Sequence, residues 1–522
     1  MQARPPKSYL LSLCLILGLS MLVRWDGPSD QAGGIHFWLT AQSLQTFEIW
    51  EDQGLWSYGA NLVETYPEAC NQFQPVPGHT FLVDEAGQYY YTSYPPLGLL
   101  LPYALHQLFG MSATVMSLRI WSLLLYALCL YYLFATLWGF QSNYWAVVGT
   151  AAFAFSPGPL YYLSHIYFSD MLALFWLIVL LWAIQRQLAG KNMWFWLALL
   201  NFCACYTEWL GMLFALVAGI WLSRTQKSSR WFWCFGMSGL LALGLCLWQY
   251  SQIAGLAALL DQWLGRLNTQ SGADISIWQG LSTGFLLNQF RNYGVILVAI
   301  GGILVFLLPI AMRERRTLNP STAFRQAQSG KENKKLSNSH PEPRRRTFIS
   351  LLLRRTLNSS VASLLILALL APKLHQLIFL QFGFLHDFAG LKSGPFWVLL
   401  LVCLAPQIQW NRSKQWLAGI LMASLLLLYG GYRYHFYVRV SNEDIALGQQ
   451  IHQHIKTQQE PAVYFIDREP NPILHYYAKH NLSQWHDTLS AQQLIQTVGC
   501  EKAVLIHTQN LDKPQYKNLL RP

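Results

Sequence analysis

Apolar residues run in long blocks along this chain, separated by short polar links that are mostly basic. Blocks of about 20 apolar residues predict helices that cross a bilayer rather than helices of a soluble core. Eleven are read, at 8–24, 114–138, 142–159, 170–186, 192–207, 209–223, 231–250, 292–311, 359–381, 395–410 and 415–431. The first could be taken for the apolar core of a signal peptide. Arg24-Trp25-Asp26 follows it instead of a small-residue cleavage site, so it is read as an uncleaved helix. Leu97–Phe109 is too short to span, and it follows Tyr89-Tyr90-Tyr91-Thr92-Ser93-Tyr94-Pro95-Pro96. Prolines suit a first helical turn, and tyrosines favour the membrane–water boundary. A helix lying in the interface, with a polar pocket beside it, is the expectation.

Lys and Arg give an independent reading of sidedness. With the N-terminus inside, the cytoplasmic links carry Arg4 and Lys7, then Arg186 and Lys191, then Arg224, Lys227 and Arg230, and finally Arg412 and Lys414. The link 312–355 adds twelve cations against Glu314, Glu332 and Glu342, a local net of +9 in a chain of net +11. The positive-inside rule accepts this arrangement. The loop 312–357 is also rich in Ser, Asn and Pro, so disorder is expected there. Its charge is read as a topology anchor touching anionic lipid rather than as a nucleic-acid tail.

Three parts then face the outer side: the loop 25–113 with its interfacial helices, the segment 251–291, amphipathic around Leu256–Leu267, and the tail 432–522. The tail alternates helix (Asn442–Ile455), strand (Ala462–Ile466), helix (Asn471–Ala478), helix (Ser490–Val498) and strand (Ala503–His507). That order predicts a small α/β domain with parallel strands. No glycine-rich phosphate loop follows either strand. The fold class is therefore a polytopic α-helical membrane protein with about eleven spans over 1–431 and an outer α/β domain over 432–522. Composition agrees, at 53% hydrophobic and only 12% charged. Soluble domains carry about 25% charge.

Ionisable groups in or at the mouths of membrane helices are costly and are functional candidates by default. On the outer side they converge from five stretches: Asp26 and Asp30; His36, Glu48, Glu51 and Asp52; His165 and Asp170; Glu208; and His386, Asp387 and Lys392. Each has a plainer reading. Asp170 could cap its helix, Glu208 could pair with a cation, and His36 and His386 could be satisfied interface histidines. Glu48, Glu51 and Asp52 look like the wet face of an amphipathic helix. Of the nine cysteines, only Cys70 and Cys500 fall outside the membrane on one side; they could bridge or be unrelated thiols. The sequon Asn481-Leu482-Ser483 lies in the tail.

The order of one helix, a long outer loop with early acids, Tyr94-Pro95-Pro96-Leu97, Phe109-Gly110, Arg119, Ser156-Pro157 and Ser169-Asp170 resembles the GT-C glycosyltransferases of the protein O-mannosyltransferase and bacterial aminoarabinose-transferase type. The likeness covers roughly residues 8–250, with weaker echoes in His386-Asp387-Phe388 and Tyr476-Tyr477-Ala478. It implies transfer of a sugar from a polyprenyl-phosphate donor to a protein, lipid or glycan acceptor, with inversion, at the outer membrane face. An acid of the first outer loop would be the base. The family's early Asp-Glu pair is replaced by Asp26-Gly27-Pro28-Ser29-Asp30, leaving Asp26 and Asp30 as alternatives, while Asp170 matches the second acid. Tyr91, Tyr94 and Pro95 would line the entrance, and Arg119 and Lys392 would touch the donor phosphate. His36, His165, Glu208, His386 and Asp387 complete the substrate-binding candidates. Paired acids could hold a divalent cation against the phosphate, and basic residues could serve the same end. Absence of the long domain of eukaryotic mannosyltransferases favours a bacterial inner membrane with a periplasmic site; in a eukaryote it would be the ER. A flippase would place its charges near mid-membrane and show helix repeats. The remaining class is a non-catalytic subunit of an envelope assembly whose outer tail binds.

Overall fold

The computed structural model describes residues 7–24, 34–67, 81–140, 144–270, 276–317, 359–381, 386–408, 412–439, 443–458, 461–486, 500, 502–508 and 514–519. Asp26, Asp30, Cys70, the basic loop from 318 to 358 and the expected helix Ser490–Val498 lie outside them. Among the described residues, seven helices are long and apolar enough to cross a membrane, and five shorter apolar helices accompany them. The protein is a multi-pass membrane protein.

The helices run α1 (Lys7–Val23), α2 (Phe37–Gln53), α3 (Leu97–Leu108), α4 (Val115–Phe140), α5 (Tyr144–Ala154), α6 (Pro157–Tyr162), α7 (Ser169–Leu188), α8 (Trp194–Cys205), α9 (Trp209–Thr225) and α10 (Arg230–Gln270). After the short turn α11 (Ile277–Gln279) come α12 (Asn288–Thr317), α13 (Ser359–Ile378), α14 (Gly394–Leu404) and α15 (Arg412–Val438). Two departures from the expected spans have local causes. The block 142–159 is two helices, because Pro157 starts α6 at its first turn while Ser156 takes an extended backbone. The block 231–250 continues to Gln270 across a break at Ala254-Gly255, where Gly255 has φ 84°. The start of the loop 312–357 is still helical, as the end of α12.

A short 3-10 helix, Asp387–Ser393, precedes α14 and is fully buried among α6, α7, α12 and α13. It brings His386, Asp387 and Lys392 into the interior of the bundle. At Gly430 in α15, an added Cβ would run into the Phe155 carbonyl, so glycine is required where α15 crosses the end of α5.

The tail holds α16 (Glu443–Thr457), β3 (Val463–Ile466), α17 (Pro472–Ala478), β4 (Leu482–Gln484), β5 (Ala503–His507) and β6 (Gln515–Leu519), after the two-residue ladder β1 (Leu82–Val83) and β2 (Tyr89–Tyr90) between α2 and α3. The sheet order is β4-β3-β5-β6, with the first three strands parallel and β6 antiparallel to β5. The sheet is thus mixed rather than parallel throughout. The edge strand β6 is polar and was not legible as a strand. The domain rests on α2 through α17: Lys479 pairs with Glu48 at 2.5 Å, and Tyr66 donates to Glu48 at 3.1 Å. Asn481 is 3% exposed, accepts from the Tyr66 amide at 3.3 Å and donates back to its carbonyl. The sequon therefore presents no free amide for glycosylation. Cys500 is disulfide-bonded, and the seven other described cysteines are free.

Two tail histidines are buried beside this contact. His475 Nδ1 accepts from the Leu482 amide at 3.0 Å, which requires an unprotonated nitrogen. Burial holds His475 down at about 3 and His480 down at about 4, against an ordinary 6.5. Above 6.5 both states are neutral and the contribution is unchanged. As pH falls below 6.5 the unfolded chain gains protons that the folded domain refuses, so stability drops, by on the order of 2 kcal/mol per histidine at pH 5. Hydrogen exchange of β3 and β5 amides, corrected for intrinsic rate, should show weaker protection at pH 5 than at pH 7. Equal protection at the two pH values would exclude this account.

Candidate active site

The tyrosine-rich segment after β2 is non-helical and bends at Ser93 and Tyr94, because Pro95 and Pro96 disfavour helix before them. The carbonyls of Thr92, Ser93 and Tyr94 are met by side chains of later helices. Trp263 Nε1 donates to the Thr92 carbonyl at 2.9 Å, Trp209 Nε1 to Ser93 at 2.6 Å and the Tyr250 hydroxyl to Tyr94 at 2.5 Å. The Tyr206 carbonyl accepts from Leu97 at 3.0 Å, which docks the start of α3. Gly98, in the next turn, touches Ser169 so closely that a Cβ there would overlap the serine. Tyr91 and Tyr94 stack on each other with centroids 6.1 Å apart, and Tyr94 meets Phe168 edge-on at 5.2 Å. Tyr91, Tyr94 and Pro95 are all buried beside the start of α7.

Immediately below lies a charged cluster. Lys392 Nζ is 2.7 Å from Asp170 Oδ1 and 3.1 Å from Glu208 Oε1, and His375 Nε2 is 2.8 Å from the same Glu208 oxygen. All four are buried. Asp170 does not cap α7, whose N-cap position is Phe168. Glu208 does cap α9, accepting from the Leu210 amide at 3.0 Å while pairing with Lys392 and His375. Lys392 was expected at the donor phosphate. The structure instead engages it between two carboxylates inside the bundle, since a lone buried ammonium would be far costlier.

A second group forms where the other end of the 3-10 helix meets α2, α6 and α15. Asp387 accepts from His36 Nε2 at 3.1 Å, from the Tyr162 hydroxyl and, at 3.4 Å, from the Tyr437 hydroxyl. Tyr437 in turn accepts from Arg433. His386 lies 5.9 Å from His36 between ring centroids, and burial, with His36 adding to it, lowers His386 to about 4. Arg119 and His165 form a third contact at 3.3 Å, with Tyr161 stacked on the imidazole. The structure thus assembles Asp170, Glu208 and Lys392 in one place, His36, His386 and Asp387 in another, and Arg119 with His165 in a third.

Sequence reasoning missed several partners. Tyr162, Tyr437, Arg433 and His375 carry no motif, although His375 is an ionisable group within the apolar block 359–381, a signal that was available. Glu64 is buried in the segment between α2 and α3, hydrogen-bonded to Gln42, with Arg266 near. Burial raises its carboxyl to about 8, against the pull of Gln42 and Arg266. Among the described residues, no group of three or more His, Cys, Asp or Glu is placed to hold a metal.

Removing the ammonium from the first cluster would leave Asp170 buried without its cation and Glu208 with His375 alone. Lys392→Met should therefore cost about 3–5 kcal/mol of stability. Thermal unfolding in detergent reads this directly, and a melting temperature equal to that of the parent protein would contradict it.

No protein-family model matches the chain, and no curated protein matches it in sequence. Solved structures do match. The oligosaccharyltransferase of Archaeoglobus fulgidus, in a complex with Zn and sulfate, aligns at a TM-score of 0.52 and 11% identity over 95% of this chain and 68% of its own. The same enzyme tethered with an acceptor peptide containing the NVT sequon gives 0.50 and 11% over 96% and 69%. ArnT from Cupriavidus metallidurans bound to undecaprenyl phosphate gives 0.49 and 10% over 95% and 92%. At these identities the likeness speaks for the fold alone, which this chain shares with the Archaeoglobus fulgidus oligosaccharyltransferase.

Proposed function

We propose that this protein transfers a sugar from a polyprenyl-phosphate-linked donor to an acceptor at the outer face of the membrane, with inversion at the anomeric carbon. The observation that carries the reading is a groove of about 850 Å³ between α12, α14 and α15. Its walls are apolar, with Val295, Val298, Ile303, Phe306, Leu421 and Leu425 along its length. Two cations, Arg291 and Arg433, also line it. An isoprenoid tail suits such walls, and a phosphate suits two guanidinium groups.

Several contacts put those arginines beside the second polar group. Asn288, which accepts from Arg291 at 3.5 Å, donates to the His386 carbonyl at 3.3 Å. Asn292 donates to the Asp387 carbonyl at 2.8 Å. Arg433 reaches Asp387 through Tyr437. Arg433 Nε is buried with no hydrogen-bond partner among the described residues, a donor that an anion would satisfy. A donor seated here keeps its tail in the groove and its sugar toward His36, Tyr162 and His386. The fold shared with an oligosaccharyltransferase supports glycosyl transfer as the class of chemistry.

The proton released by the acceptor needs a base. The sequence expectation for it is Asp26 or Asp30, and Asp170 supports the site as part of the ion cluster with Lys392 and Glu208. The sugar and acceptor belong to the specificity of this pocket, and a bacterial inner membrane with a periplasmic site is the setting proposed.

Incubating the purified protein with labelled polyprenyl-phosphate sugars should consume the donor and release the lipid phosphate. Movement of the donor across vesicles without cleavage would point to a flippase instead. In direct binding to undecaprenyl phosphate, Arg291→Ala and Arg433→Ala should each weaken affinity by on the order of 10- to 100-fold, the range for a charge-assisted hydrogen bond. An unchanged affinity in the double variant would remove the groove from the reading.

A further inference from the structure

We infer that His36, oriented by Asp387, is the group that takes the acceptor's proton. This rests on the donor site just proposed and names a different base from the early aspartates.

The geometry is that of a base held by a carboxylate. With Nε2 given to Asp387 Oδ1 at 3.1 Å, the neutral ring keeps its lone pair on Nδ1. The imidazole is 17% exposed, whereas the Asp387 carboxylate behind it is 10% exposed. Tyr162 and Tyr437 fix the carboxylate from two other helices. Each member of this set therefore has one orientation, the arrangement that a nucleophile-activating base requires.

The backbone of His36 supports the same role. Its φ of 62° lies in the left-handed region, where a residue with a Cβ is strained by on the order of 1–3 kcal/mol. The strain is held from both sides: the Ile35 amide donates to the Tyr437 carbonyl at 3.2 Å, and the Tyr161 hydroxyl donates to the Ile35 carbonyl at 2.8 Å. Gly34, with φ 96°, lies against Tyr161 and His165 with no room for a Cβ. A structural N-cap would not need this. His36 makes no side-chain cap hydrogen bond to α2, and its ring is turned to Asp387 instead.

The step balances without a further reactant. The acceptor's oxygen or nitrogen forms the new bond to the anomeric carbon as its proton passes to His36 Nδ1. The bond between that carbon and the phosphate oxygen breaks, and its electron pair stays on the lipid phosphate at Arg433 and Arg291. Asp387 stabilises the imidazolium until the proton leaves to solvent.

The groups facing His36 are Asp387 and His386 from the 3-10 segment, Tyr162 from α6, and Tyr437 and Arg433 from α15, with Arg291 of α12 beyond them. Among these, Asp387 is the carboxylate that orients the ring.

The test uses the full-length protein in vesicles, with undecaprenyl phosphate as the binding probe and labelled polyprenyl-phosphate sugars as donors. His36→Ala should slow transfer a hundredfold or more, the range for a lost general base. It should leave undecaprenyl phosphate binding intact, and added imidazole should restore part of the rate. If His36→Ala transfers within threefold of the parent protein, or its loss is not relieved by imidazole, the assignment is wrong. Loss of transfer confined to Asp26→Asn or Asp30→Asn would also overturn it. Should His36→Ala fail to bind the probe, His36→Gln decides: transfer within threefold of the parent protein rejects the assignment. Failure of the parent protein to bind the probe or cleave any donor would instead reject the donor site itself.

Discussion

Everything around the site is organised by one buried ammonium. Lys392 holds the carboxylates at the starts of α7 and α9 together, and His375 brings α13 to the same point. Two carboxylates this close inside a helix bundle would repel and stay poorly solvated without the cation. The 3-10 helix that delivers Lys392 must therefore be drawn fully inside, and its other end carries Asp387 with it. The ion cluster and the His36–Asp387 pair are two ends of one short element. Fixing the first fixes where the second can be.

The tyrosine-proline segment plays the complementary part on the other side of Asp170. A backbone without helix or strand in a low-dielectric setting needs its carbonyls satisfied by other donors. Trp209, Tyr250 and Trp263 do this with side-chain donors. Aromatic residues with a polar tip suit the task because they bury a large ring while the tip reaches the backbone. Gly98 then lets α3 settle on Ser169, one residue from the ion cluster.

Much of this could be read from the sequence. The apolar blocks located the helices, because a membrane span must satisfy its own backbone and so shows as an uninterrupted run. Pro95-Pro96 located the start of α3, and the acids at block ends located Asp170, Glu208 and Asp387. What was not legible was pairing. Lys392 looked like a free cation near an anion-binding site, and only the three-dimensional path of the 3-10 helix shows it between two acids. Tyr162 and Tyr437 are lost among 26 tyrosines, most of them explicable as interface or core residues. Arg433 falls just past the last apolar block, in the aromatic run Tyr432–Tyr437, where no motif marks it. The break after Ser156 could have been drawn from Pro157 alone.

The hydrogen bonds to the tyrosine-proline segment also impose an order on biogenesis. The carbonyls of residues 92–94 are met by side chains 116 to 171 positions later in the chain. Ile35 waits still longer, for Tyr437. A nascent chain therefore exposes the segment ahead of α3, with unsatisfied backbone and a row of tyrosines, until α9 and α10 have been inserted. Contacts of such high sequence separation close late. The pocket can take shape only after α15 has been inserted, so the nascent chain has no complete site to engage a lipid carrier before then.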